Sequence, residues 1–250
     1  MLQQTQAVRV VEPFARFVAR FGSAQDCADA SPSEVVRAWA GLGYNRRALD
    51  LHRTAVVLVD RHGGQVPEGL DELLALPGVG PYTARAVMAF GHGLPVGVVD
   101  TNVYRVLSRA VAGRALGRRE AQALADRLVP RTEAWRFNQA MLDLGARCCR
   151  ARAPRCAACP IARRCRWRAA PRAGDEADPG APRRRQGAFW GSDRQGRGRL
   201  VAALRAAPVA AGALAKAAGW PDDEGRARRI AAALVAEGFA CWRDGCLALV

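Results

Sequence analysis

Four cysteines that lie close together constrain this chain more than any other feature of its sequence. Cys149, Cys156, Cys159 and Cys165 follow the spacing C-x6-C-x2-C-x5-C. Four thiolates so near one another can wrap one compact inorganic centre. Zinc sites usually combine two C-x2-C pairs that lie well apart, and this segment contains one such pair. The spacing therefore fits zinc poorly, although zinc and free thiols stay open as alternatives. Cys148 lies outside the pattern and is expected to be a buried thiol.

The chain is strongly basic, and the cysteine segment concentrates this charge. The sequence has 38 Lys and Arg residues against 23 Asp and Glu, which gives a formal charge of +15. Such an excess favours a polyanionic partner, because cationic side chains displace counterions from phosphates. A GC-rich genome that encodes Arg in place of Lys would give the same composition without such a partner. Arginines occur throughout 147–168 without an intervening acid, and we expect several of them to contact phosphates.

The first 147 residues predict helices throughout. Apolar residues recur at helical spacing from Val8 to Val18, and the segment ends near Gly22. The run Ser31-Pro32-Ser33-Glu34 has the residues of a helix start, and a further helix is expected over 46–61. No apolar run approaches the length of a membrane span, and the polar start has no apolar signal core, so the expected location is the cytoplasm.

The character of the sequence changes after the cysteines. Residues 169–190 have no apolar periodicity and are expected to form a linker. Three helical stretches follow, over about 194–206, 210–218 and 223–237. Two short apolar runs then flank Asp244-Gly245, which is a hairpin signal. Three helices followed by a hairpin resemble a winged-helix module. We therefore divide the chain into 1–147, the cysteine loop 148–168, the linker 169–190 and the module 191–250.

Two further motifs carry chemistry. The segment Leu76-Pro77-Gly78-Val79-Gly80-Pro81-Tyr82 predicts a tight turn between two helices, with backbone N–H groups exposed at the start of the second helix. That arrangement suits one DNA phosphate, whereas an ordinary glycine turn is the alternative. About twenty residues later, a Gly- and Pro-rich loop ends at Asp100, which opens another helix. A plain N-cap aspartate is the alternative interpretation there.

The hairpin and Asp100 together resemble the helix-hairpin-helix–GPD superfamily of DNA glycosylases. The resemblance implies that Pro77, Gly78, Val79, Gly80 and Tyr82 contact DNA. It also implies that Asp100 approaches the sugar and stabilises positive charge developing at C1′, or traps it covalently, with Asn102 supporting the site. Related pyrimidine glycosylases with lyase activity carry Lys at the position of Tyr82. Tyrosine forms no Schiff base, so lyase chemistry is disfavoured.

Within the superfamily, residues 1–168 are most similar to adenine DNA glycosylases of the MutY type. The similarity is carried by 1–6, by 41–44, by 100–103 and by 138–145. It implies a [4Fe-4S] cluster held by the four cysteines, and it implies that Gln4 and Tyr44 enter the base stack near the target pair. A half-buried core tyrosine is the alternative for Tyr44.

The resemblance implies an all-α, two-lobed glycosylase with an iron–sulfur loop and a small winged-helix-like tail. Adenine opposite 8-oxoguanine or guanine would be flipped into a pocket between the lobes and removed by hydrolysis. The expected partner is double-stranded DNA, and the expected form is a nucleoid-associated monomer. Two alternatives stay open: a glycosylase for another damaged base, similar to endonuclease III, and a non-catalytic DNA-binding iron–sulfur protein.

The sequence departs from this family at both ends. The family's general-acid Glu lies two residues before the segment that starts at Met1, so that Glu and the helix preceding it are absent from the sequence given. We expect a start codon placed too late, with a real truncation as the alternative. Typical members also carry a larger β-rich domain that reads 8-oxoguanine. Residues 191–250 are too short and too helical for that domain, which puts recognition of the oxidised base in doubt.

Overall fold

The structure is a computed structural model that describes residues 1–170, 178–181 and 187–250. Most of the predicted linker therefore lies outside the described residues. Contacts group the chain into two compact units. Unit 1 contains Met1–Pro67, Leu76–Gly78 and Gln186–Val250, and unit 2 contains Glu68–Ala75 and Val79–Arg185. These units follow contacts rather than chain order, and the four segment boundaries given above stay predictions.

Unit 1 begins with four helices. They are α1 (Val11–Arg20), α2 (Ala24–Asp29), α3 (Pro32–Ala38) and α4 (Arg46–His62). The predicted start of α3 is confirmed, because Ser31 accepts a hydrogen bond from the Glu34 N–H while the Glu34 carboxylate accepts one from the Ser31 N–H. Helix α4 extends one residue further than expected, to His62, and is followed by Gly63 in a left-handed conformation.

Helix α1 is present, but its apolar residues do not all face the core. Phe17 and Phe21 are buried, and Phe17 packs edge-on against Trp39 with ring centroids 6.1 Å apart. Val11, Phe14 and Val18 are 70%, 55% and 44% exposed. The apolar periodicity thus predicted the helix correctly without identifying its buried face.

The C-terminal part of unit 1 combines three helices with a small sheet. The elements are α11 (Asp193–Ala206), β1 (Val209–Ala210), α12 (Leu214–Ala218), α13 (Glu224–Ala236), β2 (Ala240–Arg243) and β3 (Cys246–Leu249). The strands are antiparallel in the order β1-β3-β2. Asp244 and Gly245 both have positive φ, as expected for the predicted two-residue hairpin turn. The short strand β1 was not predicted from the sequence. Leucines of this region share one apolar core with α3 and α4.

Unit 2 contains the remaining helices. They are α5 (Leu70–Ala75), α6 (Pro81–Ala86), α7 (Thr101–Val106), α8 (Arg118–Leu128), α9 (Ala134–Asp143) and α10 (Arg166–Ala169). Helices α6, α7 and α9 each continue into a π-helical turn, at Val87–Gly91, Leu107–Ala112 and Leu144–Cys148. Such turns are frequent at functional sites. Helices α7 and α8 pack around Val103, Leu107 and Ala121. Nowhere in the described ranges is a helix long and apolar enough to cross a membrane.

Candidate functional site

Asp100 is fixed at the start of α7. One carboxylate oxygen, Oδ1, accepts hydrogen bonds from the backbone N–H groups of Asn102 at 2.8 Å and Val103 at 2.6 Å. The other oxygen, Oδ2, accepts one from the Asn102 side-chain amide at 2.8 Å. The aspartate is therefore an N-cap, as the simpler interpretation of the sequence proposed. Capping holds the carboxylate in one orientation, and a second role at Oδ2 is compatible with it.

A chain of hydrogen bonds leads from Asp100 to the cysteine loop. The Asn102 side-chain oxygen accepts a bond from Arg105 at 2.8 Å. The Arg105 guanidinium also donates to the carbonyl of Gly145 at 2.7 Å and, through Nε, to the carbonyl of Cys149 at 2.5 Å. Arg105 is only 6% exposed, and burial lowers the pKa of its guanidinium. These bonds link the orientation of Asn102 to the first cysteine of the motif.

Gly145 packs closely against Asn102, which belongs to this chain of hydrogen bonds. A Cβ atom added to Gly145 would lie 2.7 Å from Asn102 Cβ and 2.8 Å from the Asn102 carbonyl oxygen. Only glycine lets the π-helical turn after α9 approach α7 so closely. The sequence offers a signal for this contact, since Gly145 belongs to one of the segments shared with the adenine glycosylases.

The loop before Asp100 is held by a buried amide that the sequence analysis did not assign to the site. Asn138 is 2% exposed, and its side-chain oxygen accepts from the Val98 N–H at 2.9 Å. Its amide nitrogen donates to the Val96 carbonyl at 2.9 Å. The Gly97 N–H donates to Asp126 at 2.9 Å. These bonds fix the path of the chain into Asp100. A polar residue in the middle of an apolar helical pattern was the signal that could have identified Asn138.

Tyr82 lies on α6, in the same unit as Asp100, and its side chain is 39% exposed. Burial, and to a smaller extent the negative charge of Asp100, raise the pKa of the Tyr82 hydroxyl above its ordinary value. The group therefore stays protonated at neutral pH and can donate a hydrogen bond. It has no amine with which to attack a sugar carbon as a Schiff-base nucleophile.

The predicted hairpin lies between α5 and α6. Gly78 has a φ of +72°, which favours glycine, and the Pro77 carbonyl accepts a hydrogen bond from Thr54 at 2.8 Å. Gly80 is the N-cap residue of α6 and has an extended conformation. A Cβ atom added to Gly80 would have no described heavy atom within 4 Å. Space beside Gly80 is thus open to an external ligand.

The four cysteines of the motif line one cavity in unit 2. Cys149, Cys156, Cys159 and Cys165 share it with apolar side chains, and Cys148, which is partly exposed, lines it as well. Among the residues that the structure describes, no three His, Cys, Asp or Glu side chains converge closely enough to hold a single metal ion. The donor set around this cavity is entirely sulfur.

Arg109 ties the two ends of the cysteine loop together. Its side chain is 1% exposed, and it forms an ion pair with Asp178 while Nη1 lies 3.6 Å from Cys149 Sγ. Nη1 also donates to the Arg150 carbonyl at 2.8 Å, and the guanidinium stacks 4.7 Å from the Trp167 ring. The charge of Arg109 is therefore satisfied on all sides and lies next to a cysteine sulfur.

Most arginines of the loop face solvent. The exposed ones are Arg147, Arg152, Arg155, Arg163, Arg164, Arg166 and Arg168. Arg150 is partly buried and donates to the Ala153 carbonyl at 3.1 Å. The loop thus presents a dense basic surface.

Gln4 and Tyr44 both lie in unit 1 and share an unusual backbone conformation. Their φ angles are +53° and +43°, and both side chains are exposed. Arg47 lies between their segments: it donates to the carbonyls of Met1 at 2.8 Å and Gly43 at 3.3 Å, and its guanidinium lies 5.5 Å from the Tyr44 ring. Tyr44 is 49% exposed, so it is less buried than an ordinary core tyrosine.

Comparison with known proteins now identifies the family. Residues 1–131 match the model of the HhH-GPD superfamily base excision DNA repair proteins. The chain is 45% identical to an adenine DNA glycosylase of Mycobacterium tuberculosis, over 96% of this chain and 79% of that protein. It is 46% identical to the adenine DNA glycosylase of Mycolicibacterium smegmatis, over 82% of this chain and 69% of that protein. The chain belongs to the HhH-GPD superfamily. Within it, the chain belongs to the adenine DNA glycosylase family.

Other proteins match the chain at lower sequence identity. The human adenine DNA glycosylase is 40% identical over 67% of this chain and 32% of its own length. Among solved structures, a thermostable thymine-DNA glycosylase has a TM-score of 0.62 at 30% identity, covering 67% of this chain and 80% of that one. A trapped endonuclease III–DNA covalent intermediate has a TM-score of 0.60 at 27% identity, with the same coverage.

The predicted site residues lie in both units. Asp100, Asn102, Tyr82 and the four cysteines lie in unit 2, together with Val79 and Gly80. Gln4, Tyr44, Pro77 and Gly78 lie in unit 1. Hydrogen bonds connect Asp100 and Asn102 to the cysteine loop, which the sequence analysis had treated as a separate motif.

Proposed function

We propose that this protein removes adenine mispaired with 8-oxoguanine or guanine, by hydrolysing the bond between the base and its deoxyribose. The observation that carries the chemistry is the fixed carboxylate of Asp100, held by α7 and by Asn102 in a chain that belongs to the adenine DNA glycosylase family. The glycosidic bond is unreachable inside a duplex, so the adenine must first be flipped out of the stack.

The reaction that we propose breaks the C1′–N bond, with its electron pair leaving on the adenine. An acid protonates the base, which makes it a better leaving group, and positive charge develops on the sugar. Asp100 stabilises that charge through the carboxylate oxygen that it shares with Asn102. Water then adds to C1′ and loses a proton, which leaves an abasic site and free adenine.

Hydrolysis without a lyase step follows from Tyr82. A lyase needs an amine that forms a Schiff base with the sugar, and a tyrosine hydroxyl with a raised pKa supplies none.

We also propose that the four cysteines hold a [4Fe-4S] cluster. The cavity that they line suits it, because the cysteines of the motif share that cavity and thiolates are the ligands that hold such clusters. When bound, such a cluster supplies a one-electron redox centre and a cross-link that orders the loop. Arg109 and the carbonyl contacts of Arg105 would hold the surrounding chain in place.

For DNA binding we propose two kinds of contact. The exposed arginines of the loop and the open backbone at Gly80 are suited to phosphates, which position a duplex without reading its sequence. Gln4 and Tyr44 are suited to the base stack, because both are exposed on strained loops. The order helix, strand, helix, helix and hairpin over 193–249 supports a winged-helix-like module.

Single-turnover excision tests the proposal with three duplexes. They contain adenine opposite 8-oxoguanine, adenine opposite guanine, and thymine glycol. The protein is compared with its Asp100→Asn variant on each duplex. We expect adenine release from the first two duplexes, and a loss of several orders of magnitude in rate on Asp100→Asn with DNA affinity retained.

Each contrary outcome removes a distinct part of the proposal. Release of thymine glycol alone would favour a glycosylase for another damaged base. An Asp100→Asn variant as fast as its parent would remove Asp100 from the mechanism. DNA binding without release of any base would favour a non-catalytic DNA-binding protein.

A further inference from the structure

The loop that carries Tyr44 has a positive φ angle at three of its residues. Gly41 and Gly43 have φ values of +85° and +67°, and Tyr44 has +43°. Glycine adopts these angles easily, whereas a tyrosine does so only where the surrounding structure enforces it. Since Tyr44 is half-exposed, burial of its ring does not supply the whole of that constraint. Other contacts must hold the backbone.

One of these contacts comes from the C-terminal part of unit 1. Arg205, in the last turn of α11, donates from Nη2 to the side-chain oxygen of Asn45 at 2.8 Å and from Nε to the carbonyl of Val36 at 3.0 Å. Arg37 donates back to the carbonyl of Arg205 at 3.3 Å. Asn45 directly follows Tyr44 in the chain. Helix α11 therefore forms hydrogen bonds both with α3 and with the residue after Tyr44.

The side chain of Asn45 binds Arg205 and does not cap α4. It stands at the N-cap of α4, where an asparagine oxygen normally accepts a backbone N–H of the helix. No such capping bond is present, and the oxygen binds Arg205 instead. Leaving a helix start uncapped weakens the helix, so the bond to Arg205 takes the place of a favourable local interaction.

Arg205 is also an unusual cation. Within the ranges that the structure describes, no carboxylate lies at ion-pair distance from it, and burial lowers the pKa of its guanidinium. A partly buried arginine that contacts only neutral oxygens contributes little to stability, because its charge has been removed from water without an opposite charge. Such a residue is better explained by the geometry that it imposes.

A second set of contacts with α4 lies at the end of α13. The carboxylate of Glu237 accepts two bonds from Arg197, each of 2.9 Å, and lies 3.7 Å from Arg46 in the first turn of α4. The Glu237 backbone carbonyl accepts a hydrogen bond at 3.0 Å from Arg53, which lies about two turns after Arg46 on α4. Two helices of the C-terminal part therefore hold the beginning of α4, which starts immediately after Tyr44 and Asn45.

We propose that residues 191–250 position Tyr44 for entry into the DNA base stack, acting through the contact between Arg205 and Asn45. This inference rests on the proposed function, because it needs Tyr44 to contact DNA. Arg205 is a positioning residue in this scheme. A loop already held in its bound shape loses less conformational entropy on binding, so affinity and base flipping both gain.

The test is a double-mutant cycle on DNA binding. Arg205→Met keeps an unbranched stem and removes the hydrogen-bond donors, and Tyr44→Ala removes the ring. Each variant and the double variant are titrated with a duplex that carries 2-aminopurine beside the adenine mispair, whose fluorescence reports unstacking. Arg199→Met is the matched control, since Arg199 is an exposed arginine on the same helix. Asn45→Ala removes the acceptor and replaces Arg205→Met if that variant does not fold.

We expect Arg205→Met and Asn45→Ala each to weaken binding by about tenfold and to reduce the fluorescence change, with Arg199→Met close to the parent. In the Tyr44→Ala background, Arg205→Met should have no further effect, because the residue that it positions is gone. Equal effects of Arg205→Met in both backgrounds would overturn the inference and leave Arg205 a purely structural residue. Tyr44→Ala with unchanged binding and fluorescence would overturn it as well. Neither readout requires excision, so failure of the proposed activity is distinguishable.

Discussion

Replacement of Gly145 by alanine tests whether Asn102 is held by packing. The new Cβ would lie 2.7 Å from Asn102 Cβ, so the two segments must separate by roughly 0.7 Å to reach ordinary van der Waals contact. Helix propensity alone favours alanine by about 1 kcal/mol. Overpacking of a tight contact costs about 1–3 kcal/mol, so the net effect should be destabilising by up to about 2 kcal/mol.

The catalytic effect should exceed the effect on stability. A displacement near 1 Å at a positioning residue can cost on the order of 100-fold in rate. We therefore expect single-turnover excision by Gly145→Ala to slow by at least tenfold, while thermal unfolding shifts downward by only a few degrees.

Gly198 provides a matched control for Gly145→Ala. It is a helical glycine in α11 with no described heavy atom within 4 Å of an added Cβ, so Gly198→Ala should stabilise the protein. If Gly145→Ala gains stability as Gly198→Ala does and keeps the full rate, the packing argument for Asn102 is wrong.

Three further predictions concern the cysteine loop and its charge. Cys149→Ala should lose iron, sulfide and the visible absorption of the anaerobically purified protein, whereas Cys148→Ala should keep them; stoichiometric zinc without iron in the parent would contradict the cluster. Asp178→Asn weakens the ion pair that holds Arg109 beside Cys149, so the visible absorption should decay faster in the presence of an iron chelator, and an unchanged decay would contradict that role. The affinity for duplex DNA should fall with salt by a slope of about −0.9 per phosphate contacted, and a flat response would exclude phosphate-dominated binding.

Local signals predicted the helices well because their causes are local. The capping box at Ser31 and Glu34, the end of α4 at Gly63 and the turn at Asp244-Gly245 each depend on two to four neighbouring residues. The position of Asp100 at the start of a helix could be predicted for the same reason. Strand β1 could not, because two residues carry no periodicity and pair only through the distant β3.

The buried polar contacts could not be predicted, because they join residues far apart in the sequence. Asn138 binds the loop before Asp100 across forty positions, and Arg105 reaches Cys149 across forty-four. An arginine in a basic chain is expected at the surface, so composition pointed away from buried roles for Arg105 and Arg109. Their partners are mainly backbone carbonyls, which every residue carries and no sequence pattern marks.

Backbone conformation adds an independent argument about the DNA-contacting residues. In the described part of the chain, the non-glycine residues with positive φ are Gln4, Tyr44, Ala153 and Asp244. The hairpin turn explains Asp244, since type I′ turns require this conformation. Gln4 and Tyr44 have no such local cause, yet family resemblance had already selected both for the base stack. Strain of about 1–3 kcal/mol per residue persists where the surroundings enforce it, and Arg47 supplies that enforcement by bonding to both segments. An exposed tyrosine in a strained backbone conformation lowers the stability of the folded protein. The same conformation is useful if the ring must enter a duplex, because the backbone that carries it is then already ordered.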